Sequence, residues 1–195
     1  RAQLSVLTKP KARTQLSQDS LLRLTSELLY DQLKADRGAA AQRLPPPETW
    51  AGDTLITPAA DDSSGLSLEA DSFEFVSLAS TVMGFFQLQD SGLEDYLLRY
   101  RRLDEWCELI AQGRDHGIQT MAFATSGSTG PAKTCIHSWQ DLVQEVDFFA
   151  RLLEGLPHFE LTRVVTLVPS HHIYGFLFGL LLPEHQQVPA CRGLK

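Results

Sequence analysis

Cysteine is scarce in this chain of 195 residues: Cys107, Cys135 and Cys191 lie far apart and form no CxxC pair. That excludes a disulfide framework, and it excludes a zinc site built on paired thiolates. No other metal-ligand set is expected, and a reducing, cytoplasmic setting follows. Positive charge is short as well. The 17 lysines and arginines face 24 acidic residues, giving a net charge of −7. No basic run interleaved with aromatics occurs, so a nucleic-acid-wrapping surface is excluded. Long apolar runs are missing too. The longest, "IYGFLFGLLLP", is too short to cross a bilayer, so no membrane span is expected. Arg1, Lys9, Lys11 and Arg13 are followed by no apolar core, so no signal peptide is expected either.

What is present is globular composition, 43% apolar and 21% charged, enough for one large domain or two small ones. Residues 1–18 read as a flexible extension. Asp19 or Ser20 is a candidate cap for a helix running to about Lys34, with Leu21, Leu24, Leu28 and Leu33 at helical spacing. Residues 36–66 break the pattern with "LPPPETW" and "TPAADDSSG". Asp71 then caps a helix whose apolar face is expected to carry Phe73, Val76, Leu78, Val82, Phe85 and Phe86. A turn and one or two further helices follow, with Gly113 as the expected C-terminal cap. The texture changes near 113–118. "TMAFAT" predicts a strand, and a helix capped by Ser138 carries Leu142, Val146, Phe149, Leu152 and Leu153. "TRVVTLVPS" predicts a strand buried on both faces, and "HHIYGFLFGLLLPE" a loop entering a buried helix. The expected fold is α+β: a helical bundle over 19–113, then a partial α/β unit over 119–195.

The stretch "FATSGSTGPAKT" sits after that first strand. As a Walker loop, G-x-x-x-x-G-K-[ST], it fails at Ala132, and Pro131 removes an amide where the cradle needs donors. The local chemistry still suits phosphate: hydroxyls of Thr125, Ser126, Ser128 and Thr129, free backbone at Gly127 and Gly130, and the Lys133 charge. Composition alone leaves a plain linker equally open.

Residues 125–133, "TSGSTGPAK", resemble the phosphate-loop signature of the adenylate-forming superfamily, which includes acyl- and aryl-CoA ligases. The usual pattern is [ST]-[SG]-G-[ST]-[ST]-G-x-P-K; here Pro131 and Ala132 stand in reversed order, and the spacing to Lys133 is kept. "LVPSHHIYGFLFGLLLP" resembles the family's next segment through Pro169 and His172. The resemblance implies a mobile lid over the phosphates of ATP, with Mg²⁺, formed by Thr125, Ser126, Gly127, Ser128, Thr129, Gly130 and Lys133. Lys133 takes the catalytic role. It places His172, Tyr174 and Gly175 in the pocket for a carboxylic acid, which is activated as an acyl adenylate and passed to coenzyme A or a carrier thiol. The family's later Tyr-Gly-x-[ST]-Glu segment, ribose-binding Asp and C-terminal Lys do not occur. The chain is therefore expected to be the N-terminal portion of a longer ligase and inactive alone.

The stretch "LEADSFEFVSLASTVMGFFQLQDSGLEDYLLRYRRLDEWCELI" resembles an acyl carrier domain from its modification site onward. Leu68, Asp71, Ser72 and Phe73 match the segment that bears the arm, with Glu69 at the usual glycine. This implies 4′-phosphopantetheine attachment at Ser72 and a carrier-first order suited to lipid or polyketide biosynthesis. Read without the resemblance, Asp71-Ser72 is an ordinary helix cap. The alternative function is a non-catalytic carrier-like or interaction module.

Overall fold

The computed structural model describes residues 16–59, 65–89, 91–125 and 133–193. Helix α1, Gln18–Arg37, begins at Ser17, whose hydroxyl oxygen accepts from the Ser20 amide at 3.2 Å. Asp19 and Ser20 therefore fall inside the first turn and not at the cap. Leu21, Leu24, Leu29 and Leu33 bury one stripe of it. The break that follows contains two short 3₁₀ turns. One is Pro47–Thr49, where proline at the first position costs no hydrogen bond.

Helix α2, Ser72–Phe86, has the expected Asp71 cap in full reciprocal form. Asp71 Oδ1 accepts from the Phe73 and Glu74 amides, and Glu74 Oε2 accepts from the Asp71 amide. Arg37 grips Glu74 through two hydrogen bonds of 2.7 Å, joining the end of α1 to the start of α2. That bond, more than any other influence, holds the Glu74 carboxyl below its ordinary pKa. Phe75, Leu78, Val82, Phe85 and Phe86 are buried. Phe73 and Val76 are not: they stand 87% and 52% exposed, because the buried stripe is centred on Phe75 and Leu78. A one-turn helix α3, Glu94–Leu97, leads to α4, Leu103–Asp115. Gly113 lies within α4 and does not cap it. A Cβ there would meet Leu88 Cδ2 at 2.9 Å, so the glycine admits a close neighbour.

Strand β1, Thr120–Thr125, pairs antiparallel with β2, Lys133–Ser138, and Ser138 caps α5, Trp139–Glu154. The expected order was strand, loop, helix. A second strand intervenes. Strand β3, Val164–Thr166, pairs parallel with β4, Ala190–Arg192. It is shorter than expected and not buried on both faces: Val165, Leu167 and Val168 are exposed. Between them α6, Ile173–Phe176, runs through a wide π turn, Leu177–Leu181, into α7, Leu182–Gln186. The architecture is mixed helix and sheet, with two small sheets among the described residues.

One hydrophobic core runs from Leu16 through α1, α2 and α4 to Phe123, Trp139, Phe176 and Leu182. The two expected segments thus share a core. Phe123 of β1 lies at its seam, 1% exposed, with its ring 5.2 Å from Phe85, 5.3 Å from Phe176 and 5.9 Å from His137. Arg114 is buried beneath the same seam, 4.0 Å over the Trp139 ring, and burial lowers its guanidinium to about 10. Phe123→Ala is expected to cost about 3–5 kcal/mol in denaturant unfolding. Phe73→Ala, on the solvent side of α2, is expected to change stability by less than about 0.5 kcal/mol. Equal losses at the two positions would refute this placement of the core.

Candidate functional site

Strand β1 carries three buried residues, Met121, Ala122 and Phe123, of which Met121 and Phe123 join the core, and its end is exposed. The β1–β2 register pairs Thr125 directly with Lys133. Thr125 Oγ1 donates to the Lys133 carbonyl at 3.0 Å, closing the last rung. The two ends of the glycine-rich connection are therefore fixed side by side. Ser126, Gly127, Ser128, Thr129 and Gly130 lie outside the described residues. Thr125 and Lys133 are exposed, and Lys133 forms no ion pair among the described residues. Because β2 follows the connection, the helix dipole of α5 lies a whole strand further along the chain. Among the described residues the hairpin end thus carries the Lys133 charge, with no helix N-terminus directly after the connection.

The second segment is built around a turn. The His172 amide donates to the Pro169 carbonyl at 3.1 Å, and α6 starts at the next residue. Gly175 packs against that same carbonyl so closely that a Cβ would overlap the Pro169 oxygen. Proline, then His at the third position and Gly at the sixth, is thus one geometric unit. Gly179 repeats the device one turn on, where a Cβ would meet the Thr166 methyl at 2.9 Å. His172 is half-buried, Gly175 buried and Tyr174 69% exposed, with the Tyr174 ring stacked parallel to Phe178. The His171 and His172 rings lie 4.6 Å apart. His171 is mostly buried. Burial first, and the neighbouring His172 second, push its pKa below the ordinary 6.5, outweighing Asp31. His171 is therefore neutral at pH 7. Its Nε2 lies 3.5 Å from Asp31 Oδ2, yet neither ring nitrogen makes a hydrogen bond; we read the pair as a loose polar contact.

The structure brings the two segments together through the Phe123–Phe176 contact, since Phe176 directly follows the Pro169–Gly175 unit. It does not bring Ser72 to them: Ser72 is exposed in the first turn of α2. Among the described residues no group of three His, Cys, Asp or Glu side chains is placed to hold a metal, and no helix is long and apolar enough to cross a membrane. A cavity of about 510 Å³ opens elsewhere, against Tyr96, Tyr100, Glu105 and Glu108, and none of the candidate site residues lines it.

Sequence reasoning missed Glu27. It is 4% exposed, and its carboxylate accepts from the Ser170 amide, with Arg23 Nε and Arg192 Nη1 each at 3.3 Å. The available signal was an acidic residue within the leucine-rich run "LTSELLYDQL".

No family model matches the chain, and no solved structure matches it significantly. Curated relatives do. A 4-coumarate–CoA ligase of Halorhodospira halophila is 39% identical over 169 residues, 87% of this chain and 40% of its own length. Those of Cereibacter sphaeroides and Rhodobacter capsulatus are 43% and 34% identical over 136 and 167 residues, covering 67% and 83% of this chain. The chain spans 31% and 41% of those two relatives. An alignment of 169 residues is too long to fit within 119–195, so it takes in much of the helical segment as well.

Proposed function

This chain belongs to the adenylate-forming, AMP-binding ligase family, and we propose that it supplies the ATP phosphate loop and part of the acid pocket of an acid–CoA ligase. The observation that carries the reading is the β1–β2 hairpin, with Thr125 and Lys133 paired at the two ends of "TSGSTGPAK". The acid we propose is a hydroxycinnamate such as 4-coumarate, after the named activity of the relatives, and the acceptor is coenzyme A.

The chemistry suits the groups present. When the acid's carboxylate attacks the α-phosphorus of ATP, negative charge builds on the phosphoryl oxygens and on the departing pyrophosphate. The Lys133 ammonium, which forms no ion pair among the described residues, and the hydroxyls of Ser126, Ser128 and Thr129 meet that charge. Mg²⁺ arrives with ATP and is held largely by phosphate oxygens, as is usual for this ion. His172 and Tyr174, presented from the Pro169 turn, line the acid side. His171 stays neutral beside His172, so it adds no positive charge to that wall.

A second reading concerns the helical segment. A long helix, a long connection, a helix opening at Ser72, a one-turn helix and a closing helix form the order α1 to α4. Ser72 is exposed beside the cap, and Glu69 takes a positive φ of 52° at the position where carriers use glycine. These features suit a carrier-like module bearing a phosphopantetheine arm on Ser72, although no relative's name mentions a carrier.

In the intact ligase, Lys133→Ala is expected to slow acid-dependent ATP–pyrophosphate exchange by about 10²-fold or more, with a smaller change in acid affinity. An unchanged exchange rate would sink the assignment. Incubation with coenzyme A and a phosphopantetheinyl transferase decides the second reading. A mass gain lost in Ser72→Ala supports it, and no gain removes it.

A further inference from the structure

We propose that Glu27 is the positioning residue of the acid pocket, fixing His172 through the backbone of the preceding turn. This rests on the function proposed above. Glu27 projects from α1, an element that carries none of the motif residues. Its Oε2 takes the Ser170 amide, and Ser170 is fully buried. That amide has no other partner among the described residues. Two residues later His172 closes its turn onto Pro169 and opens α6. The turn is held from one side by Gly175 against the Pro169 carbonyl and from the other by the Glu27 carboxylate.

A buried carboxylate is tolerated only when paired, and Glu27 is paired twice, with Arg23 and with Arg192 of β4. Arg23 also donates to the Gly179 carbonyl at 3.3 Å, in the π turn. One acidic side chain therefore ties α1, the turn ahead of α6 and β4 into a single unit. Length and charge make separate contributions. Reach decides whether the Ser170 amide is held, and charge decides how well the two guanidinium groups are balanced.

Two variants separate these contributions. Glu27→Gln keeps the length and an oxygen that accepts from the amide, but gives up the charge. Glu27→Asp keeps the charge but falls one methylene short of Ser170. In the intact ligase with 4-coumarate, ATP and coenzyme A, Glu27→Asp is expected to raise KM for the acid about tenfold while KM for ATP stays within about twofold. Glu27→Gln is expected to stay within about threefold of wild type for both. Hydrogen exchange of the peptide over 167–176 should speed up in Glu27→Asp and not in Glu27→Gln. The reverse order of the two variants, equal shifts in both KM values, or faster exchange with an unmoved acid KM would each overturn the proposal. A wild-type enzyme that activates no carboxylic acid would overturn the function proposed above and this inference with it. That failure appears before any variant is made, so the two are distinguishable.

Discussion

The rest of the structure depends on where the Phe123 ring goes. It points from β1 into the gap between α2 and α6, with Phe85 on one side and Phe176 on the other. A ring buried this fully removes a large apolar area from water, and its edge-on and tilted neighbours add favourable quadrupole contacts. The hairpin hangs from that anchor. β2 itself is mostly exposed, with Ile136 60% open to solvent, so its own packing does little to hold it in place. Phe123 and the six paired positions of the ladder therefore set where Thr125 and Lys133 stand.

Polar contacts complete what the aromatic core begins. The Ser17 amide and hydroxyl both donate to Glu184, tying the start of α1 to α7. Glu27 ties the middle of α1 to the turn before α6. Arg37 ties its end to α2. Helix α1 is thus the frame on which the helical segment and the segment from Pro169 to α7 are both mounted. This agrees with relatives whose similarity runs through both, and with a core that includes residues on either side of 113–118.

Local chemistry was legible in the sequence, and tertiary chemistry was not. The caps at Asp71 and Ser138 follow from side chains acting on amides two or three residues away, so a single sequence carries them. Three capping residues in "SQDS" competed at α1, and docking onto Glu184 favours Ser17. Phe73 and Val76 fit a helical period, but the choice of which stripe is buried lies with α1 and α4. β2 was missed because "KTCIHS" shows no clean alternation and sits half in solvent. The spacing of Pro169, His172 and Gly175 was readable because the three belong to one contiguous turn. Glu27 was not, since its meaning depends on Ser170, 143 residues away.

The proposed role of residues 126–133 is to meet the phosphates of ATP. Hydrogen exchange of the intact ligase, with and without ATP and Mg²⁺, tests it most directly. Slower exchange across 126–133 is expected when ATP is present, with the α3–α4 region unchanged. ATP binding that leaves 126–133 exchanging at the free rate would contradict it.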